Sequence, residues 1–325
     1  MLVVKLVGGL ASQLHKYAVA LSISREIGCE LKVDCTYFDK KRYDFNPIMR
    51  YGLPDLGFFP SVATAEDVCA AKGYGYFLTM LYKFFYSALL NKITYGYSGR
   101  IFGLIERKLF PSIRLEKNSF RVHVTSYNSA WKDELVRSYN GNMFLEGEFG
   151  MDFSTLDSLR TELKSQISKC KLSMHANKAL CLMEKSNKSV AIHVRRGDYV
   201  NNKSVNEFHG TCGLNYYRNC ILELDSQHND LVYFIFSDDM DWVRCEFGKF
   251  MNNVHYFVEG NMAHEDFSLM TRCGYHVVAN SGFSSFAAWL SMAPCKNIYS
   301  PARWFLEEKT NRNQMEMLPK SWNYR

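Results

Sequence analysis

Residues 231–236 read Leu-Val-Tyr-Phe-Ile-Phe, an apolar run with no polar break. A run of that length is a strand, and a strand apolar on both faces must be covered on both. Such strands lie at the centre of parallel sheets, whose neighbours are joined by helical crossovers. The chain is therefore expected to be α/β. Val190–Val194 is a second run of the same kind. Residues 2–7 are a third, cut off by Gly8 and Gly9 and followed by Leu10, Leu14, Tyr17, Leu21 and Ile27 at roughly helical spacing. Strand, glycine turn, helix is the natural reading. Residues 29–33, 121–124, 142–145 and 276–279 add strands, 155–172 a polar connecting helix and 283–292 an apolar one. With 325 residues, 47% of them hydrophobic, the chain is long for one domain. We expect halves at 1–170 and 171–300, each opening on its own strand, and a tail at 301–325 packing back across them. A ligand would sit in the cleft between halves.

Several function classes drop out. The formal net charge is +6, and no block of Lys or Arg carries it. So small a charge suits an anionic ligand or a membrane surface equally well, and we expect no nucleic-acid partner. The ten cysteines fall without CxxC pairs or zinc spacing; they read as reduced thiols packed as small hydrophobes. Met1 to Gly9 has no apolar stretch of the signal-peptide kind, which points to the cytoplasm. Residues 74–95 are densely aromatic, with Lys83 and Lys92 among them. The segment is too short to span a bilayer. A helix with one buried face is the plainer reading, and peripheral contact with the inner face of the plasma membrane the sharper one. No HExxH, GxSxG, Walker lysine or GxGxxG pattern occurs, and Asp239-Met-Asp241 falls at an expected helix start. Neither a metal nor a cofactor is expected.

Charged residues gather where the apolar runs stop. His193-Val-Arg-Arg-Gly-Asp-Tyr199 ends the second run. Strand alternation sends His193 and Arg195 one way, Val194 and Arg196 the other. Each guanidinium is a permanently charged fork of donors, Gly197 lets the backbone turn, and Asp198 is placed to hold a guanidinium. At the carboxyl end of a strand, this set suits a diphosphate better than a chance surface ion pair. Ser237-Asp238-Asp239 directly follows residue 236. Its carboxylates can accept from ribose hydroxyls or a base edge, or cap the next helix, and the two uses are compatible. Asn280, Ser281, Ser284 and Ser285 collect hydroxyls and backbone N–H groups at a helix start, which favours an anion. Asp266 is either an acceptor pair for guanine N1–H and N2–H or an ordinary helix-start residue.

Taken in order, these motifs resemble the α-1,2-fucosyltransferase family, glycosyltransferase family 11. Gly8-Gly-Leu-Ala-Ser-Gln-Leu-His-Lys-Tyr-Ala18 is similar to that family's opening GGLGNQMFQYA, and His193 to Tyr199 to its HxRRGDY signature. Phe236-Ser-Asp-Asp239 and Asn280-Ser-Gly-Phe-Ser-Ser285 with Trp289 look like its FSDD and NSSFSWWAAWL stretches. The resemblance implies a GT-B fold, two Rossmann-like domains facing across a cleft, with a GDP-sugar donor held by the C-terminal one. It also implies inversion at the anomeric carbon without a metal. The acceptor would be a glycan, lipid-linked in the membrane reading. On this basis Arg195 and Asp198 are the candidate catalytic residues. The candidate substrate contacts are Gly9, Ser12, Gln13, His15, His193, Arg196, Ser237, Asp238, Asp239, Asp266, Asn280, Ser281, Ser284 and Ser285. A general base is open among Asp198, Glu207, Glu146, Glu148 and His15.

The chain departs from the pattern at Ala11-Ser12, where the family has Gly-Asn, at His15, at Gly282, and at Phe286-Ala287 in place of paired tryptophans. A shorter Ser12 leaves no polar group unpaired against a sugar lacking a hydroxyl. L-fucose is thus the default donor sugar and colitose (3,6-dideoxy-L-galactose) the alternative, within O-antigen synthesis. A noncatalytic glycan- or nucleotide-binding homologue is the alternative of another class.

Overall fold

In a computed structural model the chain forms two compact units, unit 1 at 1–51 and 59–150 and unit 2 at 52–58 and 151–325. The structure describes residues 1–38, 49–75, 79, 80, 83, 121–124, 130–139, 141–150, 152–291 and 293–325. Most of the aromatic 74–95 segment, with its expected helix or membrane face, lies outside the described residues. Among the described residues, no helix is long and apolar enough to cross a membrane.

Among the described residues, unit 1 holds a four-stranded parallel sheet. Its strands are β1 (Leu2–Lys5), β2 (Leu31–Asp34), β3 (Arg121–Val124) and β4 (Met143–Gly147), in the order β2-β1-β4-β3. Helix α1 (Leu10–Ile27) follows the glycine turn as its spacing predicts. Gly8 takes φ +82°, which a side chain would resist, and Gly28 ends the helix at φ +67°. Val3 and Phe144 pack with Val68 and Ala71 of α2 (Ala65–Ala71). Helix α3 (Ala130–Ser138) precedes β4.

Unit 2 holds a six-stranded parallel sheet. Its strands are β5 (Lys188–Val194), β6 (Leu231–Ser237), β7 (His255–Val258), β8 (Tyr275–Val277), β9 (Ile298–Ser300) and β10 (Asn323–Tyr324). They stand in the order β10-β9-β8-β5-β6-β7. The longest ladder joins β5 to β6, from Lys188 opposite Leu231 to Val194 opposite Ser237. Strand alternation splits its side chains. Val190, Ile192, Val194, Tyr233 and Ile235 enter one core with Tyr217, Leu224, Val243 and Phe247. Ala191, His193, Phe234 and Phe236 take the other face and are buried there. Both faces of 231–236 are thus covered, as an unbroken apolar strand requires. Strand order turns back at β5, whose two neighbours are β6 and β8. That switch point is where open α/β sheets bind ligands.

The α/β class and the pair of parallel sheets agree with the GT-B expectation. Two expectations need correction. The boundary placed at 170/171 falls inside unit 2, which begins at Met151 and also takes in Gly52–Phe58. And 155–172 is no polar connector: a 3₁₀ turn over Ser154–Leu159 leads into α4 (Arg160–Ile167), with Leu156, Leu159, Leu163 and Ile167 buried, and α5 (Met174–Lys185) follows. Phe153 stacks on Phe286 and Trp289 at centroid distances of 5.6 and 5.3 Å, so apolar burial fixes this segment to unit 2. The tail belongs to unit 2 as well, since β10 extends its sheet beside β9.

Candidate active site

The site is built from loops at the carboxyl ends of β5, β6 and β8. Leaving β5, the chain passes through Arg195 and Arg196 into α6 (Gly197–Asn201) and α7 (Lys203–His209). Helix α8 (Leu214–Gln227) then leads back to β6. Leaving β6, the chain enters α9 (Met240–Phe247), with Asp239 as N-cap accepting from the Trp242 N–H at 3.3 Å. Because β5 and β6 end in register, the two arginines meet the two aspartates. Arg195 Nη1 lies 2.6 Å from Asp238 Oδ2, and Nη2 lies 2.7 Å from Asp198 Oδ1. Arg196 Nε lies 3.0 Å from Asp239 Oδ2, and its guanidinium stacks 3.8 Å from the Trp242 ring centroid.

Asp238 does more than balance charge. Its Oδ1 accepts the backbone N–H of Arg196 at 2.8 Å and of Gly197 at 3.0 Å. A Cβ at Gly197 would stand 2.7 Å from Asp238 Oδ2, so glycine serves here for closeness of approach. Ser237 donates to the Val194 carbonyl and accepts from the Asp239 N–H. The expected ribose or base contacts at Ser237 and Asp238 thus find those groups employed in holding the arginine loop.

Between β8 and α11 (Gly282–Leu290), Asn280 is buried and its amide donates to the carbonyls of His209, Gly210 and Trp304. The Tyr199 hydroxyl donates to the Asn280 carbonyl at 3.1 Å. Asn280 therefore ties the α7–α8 connection and the 304 loop to the β8 end. Ser281 is the N-cap of α11, accepting from the Phe283 N–H at 3.3 Å. Ser284 and Ser285 are buried, and both hydroxyls donate to the Ser281 carbonyl. The serine cluster shapes the start of α11, whose N-terminal dipole faces the carboxyl edge of the sheet.

His193 lies just inside that edge, its ring centroid 5.5 Å from that of Phe283. Burial, aided by the Arg195 charge, lowers its pKa to about 4, so the imidazole is neutral at physiological pH. Phe283 also touches Phe267 of α10 (Ala263–Met270), next in sequence to Asp266. Burial raises the Asp266 carboxyl to about 6, while the Asn261 amide donates to its Oδ1 at 3.0 Å.

The remaining predicted substrate contacts lie in unit 1, while Glu207, a general-base candidate, lies on α7 and pairs with Lys203 at 3.8 Å. Gly9 is the N-cap of α1. Ser12 Oγ sits 3.2 Å from where a Cβ of Gly8 would be, and the buried Gln13 amide donates to the Gly8 and Arg50 carbonyls. His15 is buried, and desolvation with the neighbouring Lys16 lowers its pKa to about 3. Lys16 itself escaped sequence reasoning. It is 2% exposed, donates to the Gly147 carbonyl and pairs with Glu148 at 3.3 Å. A lysine amid buried neighbours such as Leu14 and Ala18 was the available signal. Trp242 and Tyr199 were missed too; only the structure brings their rings to Arg196 and Arg195. Among the described residues, no group of three or more His, Cys, Asp or Glu is placed to hold a metal ion.

Comparison with known proteins adds to this geometry. The family model described as glycosyl transferase family 11 matches residues 106–325. An α-1,2-colitosyltransferase of Escherichia coli is 27% identical, over 98% of this chain and 97% of that one. The O-antigen biosynthesis glycosyltransferase WbnK of Escherichia coli is 32% identical, over 41% of this chain and 43% of its own. Galactoside α-(1,2)-fucosyltransferase 1 of Aotus nancymaae is 26% identical, over 45% of this chain and 39% of its own.

Proposed function

The chain belongs to glycosyl transferase family 11, and on that footing we propose that it transfers a 6-deoxy-L-galactose unit from a GDP-sugar to the 2-hydroxyl of a galactoside. The observation that carries this is the arginine pair at the carboxyl end of β5, next to β8, whose exit loop starts α11. Departure of GDP builds negative charge on the β-phosphate. Arg195 and the helix terminus supply fixed positive potential for it, without the reorganisation that water would need. The acceptor hydroxyl attacks the face opposite the leaving group, which inverts the anomeric carbon. Asp266 suits guanine N1–H and N2–H, with Asn261 steadying one carboxylate oxygen.

Colitose is the second reading of the sugar. The end-to-end similarity to an α-1,2-colitosyltransferase favours it, as does the shorter Ser12 side chain in the opening loop. O-antigen synthesis on a lipid-linked acceptor at the inner face of the membrane is the setting both readings suit. Competition between GDP-fucose and GDP-colitose decides the donor, with a tenfold preference (about 1.4 kcal/mol) as the criterion. Preference for GDP-mannose over both would refute the deoxy-sugar reading. Turnover should persist in EDTA; loss on chelation with recovery on adding Mg²⁺ or Mn²⁺ would refute the metal-free mechanism.

A further inference from the structure

The two carboxylates that meet Arg195 are mounted differently. Asp238 is fixed by two backbone N–H groups, with Gly197 closed over its other oxygen. Asp198 has no such mounting. Its Oδ1 lies 2.7 Å from Arg195 Nη2, yet it makes no hydrogen bond among the described residues. The side chain stands in the first turn of the five-residue helix α6 and is 34% exposed. Charge sharpens the contrast. Two guanidinium groups here face three carboxylates, those of Asp198, Asp238 and Asp239. A diphosphate added to that set is repelled unless one carboxylate yields its place, and Asp198 is the one held by charge alone.

We propose that Asp198 and the diphosphate of the donor compete for the same edge of Arg195, while Asp238 is the positioning residue that keeps the guanidinium aimed. The proposal rests on the reading of Arg195 as the diphosphate ligand. It changes what Asp198 does: its carboxylate sets how tightly GDP is held, and so how readily it is released.

Calorimetric titration of the full chain with GDP, and separately with inorganic pyrophosphate, tests this. Asp198→Asn should tighten both ligands by threefold or more. Asp198→Ser, too short to reach Nη2, should act in the same direction. Asp238→Asn should weaken both by tenfold or more. Asp241→Asn removes a nearby carboxylate that pairs with neither arginine among the described residues, and should leave both affinities unchanged. Unchanged or weaker binding in both Asp198 variants would overturn the competition. So would an equal gain in Asp241→Asn, which would mean a general effect of charge. Tighter binding in Asp238→Asn would overturn the positioning role. A wild-type chain that binds pyrophosphate but not GDP would discard the nucleotide reading and leave the competition standing; one that binds neither would discard both.

Discussion

At Arg195 the geometry is a fork of donors, one edge toward Asp238 and the other toward Asp198, where we propose the diphosphate binds. Lysine keeps the charge but offers a single ammonium on a flexible stem. Arg195→Lys should therefore lower the steady rate of GDP release with acceptor by about 10²-fold or more, the scale of losing one preorganised donor at a developing oxyanion. A rate near wild type would remove Arg195 from the mechanism. Asp266 makes a second prediction at this scale. The ionised carboxylate accepts from guanine, while the protonated acid cannot accept from both N–H groups. With its pKa raised to about 6 by burial, GDP affinity should fall as pH drops through that value, and UDP affinity should not. Asp266→Asn should weaken GDP at neutral pH and abolish that pH dependence. Equal behaviour of the two nucleotides would leave Asp266 a structural residue. The residue types at this site were readable from the strand-end motifs, but their division of labour was not. Asp238 and Asn280 look like ligand contacts in isolation. Their acceptors and donors are taken by backbone groups 24 to 71 positions away in sequence, and no local pattern announces such partners.

In helix α11 one residue, Ser281, is both the N-cap and one of the proposed anion contacts. Ser281→Ala removes an N-cap acceptor and should cost about 1 kcal/mol in chemical denaturation, whereas Ser281→Gly should cost only a few tenths. If the alanine variant proves as stable as the wild type, the Oγ contact to the Phe283 N–H contributes nothing. Elements with strong periodicity came through the sequence well: β5, β6, α1 and α11 lie within a few residues of expectation. Others were missed for physical reasons. Strand β7 is the edge of its sheet, and its residues His255 to Phe257 are only partly covered, so no apolar run marks it. Strands β9 and β10 are three and two residues long, too short for any period. The apolar spacing of Leu156, Leu159, Leu163 and Ile167 was present but diluted by the charged residues of 160–164, and the segment passed for a linker.

On the scale of the whole molecule, buried neutral histidines tie stability to pH. His193 and His276 are both brought down to about 4 by burial, against about 6.5 in the unfolded chain. Between those values the unfolded state binds more protons, so stability rises with pH across this window. It is complete above about pH 6.5 and falls as pH drops toward 4, by on the order of 3 kcal/mol for each histidine. Thermal midpoints should therefore decline steeply over that range. His276→Gln, which removes one titrating ring outside the arginine–aspartate cluster, should flatten the decline; an unaltered acid limb would refute the assignment. The division into units carries a different consequence. Gly52–Phe58 leaves the N-terminal unit to join the C-terminal one, where Gln166 donates to the Gly57 carbonyl and Cys170 to that of Asp55. No single crossover point then separates the two units. A gene that exchanged its second half with a relative's at codon 150 would inherit a seven-residue insert matched to the discarded half. The two halves can change partners only if that insert travels too, so recombination among such enzymes should favour whole genes over half genes.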